Sequence, residues 1–484
     1  MCRARAWLVA VSLAALATGG GLAFAQSTDE IHAAAQVHLS NPGARSLGMG
    51  GAFTALADDA TAAHANPAGL TQLDRFDILL EGRNWGYSEE FLDGGTVSLS
   101  GSDLDLTGAL SDEAEDSTNG VSFGSIFYAF DRWAIGGFRH ELVNLENEIM
   151  SDGVALPTGF VNPLSARMDL DIESYGVSAA VKLYENAEKR RSMSLGGTLT
   201  FSQFELASRT ERLDNLRGLE DPTNPASEDA PAAGLVDADT VCCQFENRGD
   251  VRFFETQLGD DDDISFNVGL LWRARNYSVG AVFRRGAEFR FVGNSYERLV
   301  NGQTGERAFP SRGPWDGVFK VPDVWGVGLV VRPGEHWILS AEWDYVEHSE
   351  LLDENLDITG KDENVSGTGC APGTVFPCQG LVGGARDFQL SNGSEFRVGF
   401  EYSTATKNKT YFFRGGAWSD PDHEIQYRGP LTDQRALFLP GDDEIHGSAG
   451  FGFRFAMFQL DVGLDLSERV KTASISGAFF IGGK

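Results

Sequence analysis

The chain has 484 residues, 39 Lys+Arg against 70 Asp+Glu, and a formal charge of -31. That acidic balance excludes a nucleic-acid partner, since phosphate binding is driven by Lys and Arg, and the 42% hydrophobic, 11% aromatic composition excludes a disordered chain. Glycine is in excess, at 58 residues against a background of roughly 7%, and beyond residue 30 no stretch reaches the roughly 18 apolar residues that a membrane helix needs.

The first element is an address. Arg3 and Arg5 precede an apolar run from Trp7 to Ala17, and Ala23-Phe24-Ala25 supplies a small-x-small cleavage pattern before Gln26. Residues 1–25 therefore read as a signal peptide, and the mature chain as exported. Cleavage would remove Cys2 and leave Cys242, Cys243, Cys370 and Cys378. Export favours disulfides. Cys370 and Cys378 share the loop-like segment Gly367–Gly380, which suits a local staple. The adjacent Cys242 and Cys243 either pair with each other or reach Cys370 and Cys378, so the connectivity stays open.

Residues 26–74 do not alternate like a strand. They combine crowded small residues with Leu47, Met49 and Phe53, and end on Asn66-Pro67-Ala68-Gly69, where proline suits a turn or a first helical position. This composition can pack tightly inside a polar lumen.

From residue 75 the dominant period is two. Phe266, Val268, Leu270 and Trp272 alternate with Asn267, Gly269 and Arg273, and after Arg275-Asn276 the pattern returns through Tyr277, Val279, Ala281 and Phe283. The same reading gives strands at 75–87, 120–130, 132–144, 168–184, 190–206, 263–274 and 277–290. It continues with 322–332, 336–347, 393–403, 409–418, 446–456, 458–467 and 471–481. One face is apolar with aromatics towards the ends; the other is Gly, Ser, Asn or charged. Short turns near 131, 187, 275, 334, 406 and 457 alternate with long connections, among them 88–119, 207–262, 291–321 and 348–392. Fourteen strands, apolar outside and polar inside, with short turns at one end, predict an all-β antiparallel transmembrane barrel.

No enzyme is expected. Gly120-Val121-Ser122-Phe123-Gly124 fits GxSxG but lies in an alternating strand with no helix behind it, whereas a nucleophile elbow needs a strand-to-helix turn. Asp260–Asp263 with Glu255 read as a solvated acidic loop, the histidines show no HExxH spacing, and neither metal nor cofactor is expected. By parity Arg273, Arg284, Arg397, Arg414 and Arg454 face inward, to pair with acids such as Glu342, Glu401 and Asp461 or to anchor the N-terminal segment.

The run GARSLGMGGAFTALADDATAAHANPAGL (43–70) resembles the N-terminal hatch of the FadL/TodX family of outer-membrane transporters. The resemblance recurs at residues 321–349, 396–402, 411–421 and 439–455. It implies a monomeric barrel (75–484) in the outer membrane of a Gram-negative cell, inserted by the barrel-assembly machinery, with residues 26–74 plugging the lumen. Asn66, Pro67, Ala68 and Gly69 match the hatch motif. Family members carry long-chain fatty acids or apolar hydrocarbons by loop capture, hatch rearrangement and lateral release beside a kinked third strand. Here Gly136-Gly137 would be that kink, and Phe253, Phe254, Phe289 and Phe291, at the ends of the long connections, would be ligand contacts. The hatch run also resembles PorV-type shuttle barrels of secretion systems, which hold a protein partner. One departure is the C-terminus: Phe479-Phe480 precede a final Lys484, where such barrels commonly end on an aromatic residue.

Overall fold

The computed structural model describes residues 40–73, 76–100, 103–156, 159–161, 163–214, 250–300, 307–309, 315–352, 388–429, 435–436 and 438–481. Residues 1–25 and all five cysteines lie outside this set.

Fourteen antiparallel strands close on themselves. They are β1 Phe76–Ser100, β2 Asp103–Ala129, β3 Trp133–Ser151, β4 Leu164–Asn186, β5 Arg191–Asp214, β6 Asp250–Arg273 and β7 Tyr277–Arg285. Next come β8 Val324–Val331, β9 Trp337–Val346, β10 Gly393–Thr406, β11 Lys409–Asp420, β12 Glu444–Phe455, β13 Phe458–Leu466 and β14 Val470–Ile481. Each pairs with its neighbours in sequence, and β14 pairs with β1 from Phe76↔Ile481 to Tyr87↔Val470. Closure removes the sheet edge that hydrocarbon would leave unsatisfied.

The outer wall is apolar and uncovered. Val177, Leu199, Ile264 and Phe396 are each about 60% exposed (63%, 64%, 60% and 61%). In water that surface would cost roughly 1.5–3 kcal/mol per side chain, so it marks a lipid-facing band. Aromatic rings cluster at the short-turn end: Phe130 stacks on Trp133 at 3.7 Å and Trp337 lies 4.8 Å from Tyr402. Such belts sit at membrane interfaces.

The strands run further than the period-two pattern predicts. Most of the expected 88–119 connection is the upper half of β1 and β2, paired as far as Ser100↔Asp103. The expected 291–321 connection is partly strand as well: Glu288–Val300 continues β7 beyond a break at Gly286-Ala287, and Trp315–Lys320 leads back towards β8. Asp260–Asp263, expected in a loop, lie on β6, where Asp261 and Asp263 accept the backbone N–H groups of Arg290 and Glu288. The reason is physical. A transmembrane strand needs only about 9–11 residues, and above the membrane both faces meet water, so hydrogen bonding continues without the apolar alternation.

Residues 40–73 fill the lumen. They form one-turn helices at Ala44–Leu47 and Ala62–Ala65 and a 3-10 helix at Pro67–Gln72, with Met49, Phe53, Leu56, Ala65 and Leu70 fully buried. Eight strands meet this plug with an inward glycine: Gly196, Gly269, Gly280, Gly328, Gly399, Gly416, Gly450 and Gly463. A Cβ on Gly399 would stand 2.2 Å from the Met49 carbonyl oxygen, and one on Gly463 would stand 2.4 Å from that of Ala44. Backbone cannot yield at those distances. Gly399→Val should therefore unseat the plug yet leave the barrel able to close. The expected result is heat-modifiable electrophoretic mobility like wild type, with residues 40–73 newly open to added protease and higher conductance in planar bilayers. A protected segment would show that the wall, not the plug, gives way.

Candidate functional site: plug, cavity and wall

The Asn66-Pro67-Ala68-Gly69 turn is built residue by residue. Asn66 caps the 3-10 helix: its Oδ1 accepts from Ala68 N at 3.1 Å and its Nδ2 donates to the Thr54 carbonyl at 2.8 Å. The side chain fits because Gly269 on β6 has no Cβ, which would come within 2.0 Å of Asn66 Oδ1. Pro67 takes the first helical position, and the Pro67-Ala68 backbone lies against Gly196. A Cβ at Gly69 would meet the Ala57 carbonyl oxygen at 2.1 Å.

Buried charge holds the plug to the wall. Arg45 reaches Asp58 at 2.6 Å and Glu401 on β10 at 2.9 Å. Arg414 joins the same Glu401 at 2.7 Å and Asp461 at 2.7 Å. Glu342 accepts the Thr54 N–H at 2.6 Å and its hydroxyl at 2.9 Å, and Glu81 accepts the Gly43 N–H at 2.8 Å. Of the inward arginines read from parity, Arg414 belongs to this network, Arg397 pairs with Asp344 at 3.4 Å and with Glu395, and Arg284 donates to plug residue Asn41 at 3.0 Å. Arg273 is exposed near the short turns, and Arg454 lies over the Phe480 ring at 4.7 Å. Removing Glu401 would leave two guanidinium groups facing each other in a buried site. Breaking such a pair costs about 3–5 kcal/mol. Glu401→Ala should lower unfolding stability in lipid vesicles by about that amount, read by urea titration; a change below about 1 kcal/mol would mean packing alone holds the plug.

Above the plug is a cavity that reaches a break in the wall. Its floor is Ser40, Asn41, Leu47 and Gly51; its sides are Arg83 and Trp85 of β1, Arg397, Trp418, His446 and Asp465 of β10–β13, and Val470 and Thr472 of β14. Thr118 and Ser122 of β2 and Glu141, Leu142 and Asn144 of β3 complete it. Between those two strands the ladder covers only Phe123–Ala129 with Ala134–His140. Higher up, β2 pairs with β1, and β3 pairs with β4 across a register shift at Glu141/Val143. Side chains join the two strands there: Thr118 Oγ1 donates to the Asn144 carbonyl at 3.1 Å, and the Arg139 guanidinium donates to the Val121 carbonyl. At the last paired residue, His140, the plug's His64 packs ring against ring with centroids 4.7 Å apart.

Gly136-Gly137 is not where the wall breaks. Both residues are paired on both sides, Gly136 with Phe127 and Ser178 and Gly137 with Ile126 and Val177. Gly136 makes room for the Phe127 ring, whose Cδ1 would lie 2.3 Å from an added Cβ. The irregularity falls at Leu142, for which the sequence carries no glycine signal.

An apolar compartment lies higher in the lumen. Phe289 and Phe291 are buried there with Leu145, Met168, Leu170 and Ile172. Phe204 stacks on Phe289 at 5.0 Å and on Phe319 at 5.6 Å. Gly259 and Gly317 leave space for these rings. Phe204 was legible by parity, because it lies eight residues from the inward Gly196 on the same strand. Phe254 occupies the opposite face of β6 from Gly259, with the Arg209 guanidinium 5.8 Å over its ring, and so stays outside the compartment. Phe253 pairs with Arg212 and Glu297 in the same ladder.

At the long-loop end Leu390, Ile425, Tyr427 and Phe438 form a small core. Below it the His348 and His423 rings stack at 5.0 Å. Burial, aided by His423, drives His348 down to about 3. Burial also pulls on His423, but Asp420 at 3.6 Å and the Pro421 carbonyl outweigh it and raise its pKa. One group of three carboxylates among the described residues, Asp323, Glu347 and Glu350, could hold a cation, but the Lys320 ammonium already stands 2.8 Å from Asp323 and 3.6 Å from Glu350.

These features define a membrane-spanning fourteen-stranded barrel closed by its own N-terminal plug. Its fold is that of the hydrophobic-compound channels. The CymD monoaromatic hydrocarbon channel matches with a TM-score of 0.54 at 15% identity, covering 93% of this chain and 100% of that one. A Pseudomonas aeruginosa FadL homologue matches with a TM-score of 0.56 at 13% identity, covering 92% and 100%. The P. putida toluene transporter TodX matches with a TM-score of 0.52 at 13% identity, covering 92% and 100%. Identities this low establish a common fold. No family model and no curated protein matches the sequence.

Proposed function

We propose that the chain is an outer-membrane channel of a Gram-negative cell that passes hydrophobic small molecules from its loops into the lipid. Ligand enters the apolar compartment around Phe204, Phe289 and Phe291, moves down to the cavity over the plug, and leaves sideways between β2 and β3. The observation that carries this reading is the cavity whose lining includes both margins of the unpaired wall, Thr118 and Ser122 on one side and Leu142 and Asn144 on the other. Resemblance in fold to channels described for toluene and monoaromatic hydrocarbons supports it. Chemistry on the ligand is not part of this reading: Ser122 of the GxSxG run sits on β2, with a strand and no helix after it.

Energetics choose the lateral exit over the axial one. A path straight down must dislodge the plug and break the buried Arg45–Glu401 contact, a loss of about 3–5 kcal/mol for that pair alone. A path through the wall must release the Thr118–Asn144 hydrogen bond, worth about 1 kcal/mol, and the charged Arg139–Val121 one, worth about 1.5–3 kcal/mol, while the plug's other anchors to Glu342 and Glu81 stay intact. An apolar ligand that passes directly into lipid also avoids the roughly 0.8 kcal/mol per CH₂ that an exit into water would cost. The plug's part is a local rearrangement of the residues that floor the cavity, with the rest of it anchored.

Cross-linking the wall tests this. Thr118→Cys combined with Asn144→Cys should close the break under oxidising conditions and abolish uptake of toluene or a fatty acid by whole cells, with recovery on reduction. Undiminished uptake in the oxidised double variant, with each single variant as control, would place the exit elsewhere.

A further inference from the structure

The described lumen contains several guanidinium groups, and what surrounds them bears on ligand charge. Arg83 lies 3.1 Å from Glu81, and Arg397 lies 3.4 Å from Asp344 and closer to Glu395. Arg397 also caps the Trp418 ring at 4.1 Å, and His446 stacks on that ring at 3.9 Å. Among the described residues, no Lys or Arg lines the cavity without a carboxylate within 3.4 Å.

Two carboxylates also line it. Glu141 stands at the β3 margin of the break, where the one guanidinium of Arg139 is shared between it and Glu173, and Asp465 holds the Trp418 indole N–H at 3.2 Å and His446 Nδ1 at 2.7 Å. The other polar groups at the break are uncharged. Thr118, Ser122 and Asn144 offer hydroxyl and amide groups, and Ser122 Oγ is buried with no hydrogen-bond partner. A carboxylate brought here would meet acids and already engaged cations, and like charges at close range disfavour the ionised form. A neutral ligand meets no such penalty, and one bearing a hydroxyl can satisfy Ser122.

We infer that the cavity over the plug admits uncharged ligands, hydrocarbons and their neutral alcohols, and excludes carboxylates. Selection is made at the exit by repulsion, which is how a site rejects a molecule of the right shape. The inference rests on the channel reading above and narrows its substrate class.

Three probes of one shape test it: butylbenzene, para-butylbenzyl alcohol and para-butylbenzoate, bound to the purified full-length barrel near neutral pH and followed by tryptophan fluorescence. The hydrocarbon and the alcohol should bind at least about tenfold more tightly than the carboxylate, as expected where ionised groups of like sign meet. Glu141→Gln or Asp465→Asn should narrow that ratio by relieving the repulsion. Equal affinity for the carboxylate would overturn the inference and leave the channel reading standing. Exclusion of the alcohol together with the carboxylate, or a ratio unchanged in both variants, would overturn charge as the cause. Binding of none of the three would overturn the channel reading itself.

Discussion

The structure depends on how closely the plug backbone approaches the barrel wall. Main-chain atoms of residues 44–68 stand where side chains of seven strands would otherwise project, and the Asn66 side chain stands there on an eighth, β6. Such contact is possible only if those strands carry no Cβ there. It also brings plug N–H groups within reach of wall carboxylates, as between Thr54 and Glu342 and between Gly43 and Glu81. The glycines and the buried acids are thus parts of one arrangement: the first set the distance, and the second satisfy the polar groups that the distance exposes.

The plug is held at many points of the wall at once. Its anchors lie on β1, β9 and β10, through Glu81, Glu342 and Glu401, with Arg414 of β11 and Asp461 of β13 holding Glu401 in place, so no single shift releases it. On the β2–β3 side the wall is weak instead. Pairing stops at His140, the residue against which plug His64 rests. The plug therefore touches the wall at the point where the ladder ends, which lets a small movement of one bear on the other. Above that point the apolar rings around Phe204 and Phe289 face inward, and the cavity is lined by both margins of the unpaired wall.

Much of this was legible in the sequence, for reasons that can be named. Side chains of a strand alternate faces, so lipid outside and a polar lumen inside leave a period-two record wherever the strand is in the membrane. That record placed all fourteen strands and the short turns. It stopped short at β1 and β2, whose upper halves pair in water on both faces. It also ended a strand just after Phe289 and placed Phe291 in a connection, although both lie on one strand that continues into the lumen compartment. Parity put Arg397 and Arg414 inside with the acids that hold them, yet could not say that Arg284 would reach Asn41, since that contact joins segments 243 residues apart.

The sequence by itself determined that this chain forms a barrel, that its glycines face a filled lumen, and that Asn66-Pro67 starts a helical turn. Each is a local matter of alternation, steric bulk or backbone φ, carried by neighbouring residues. Only the tertiary structure decided where the pairing in the wall breaks. Gly136-Gly137 looks locally like a kink but is paired on both sides, whereas the break at Leu142 arises because β2 stays with β1 while β3 turns to β4. The charge of the cavity was decided at the same level. Each of its arginines is matched by an acid, two residues along the strand for Glu81 and Glu395 and on the adjacent β9 for Asp344, and whether a guanidinium is free or engaged depends on those distances and not on its presence in the chain.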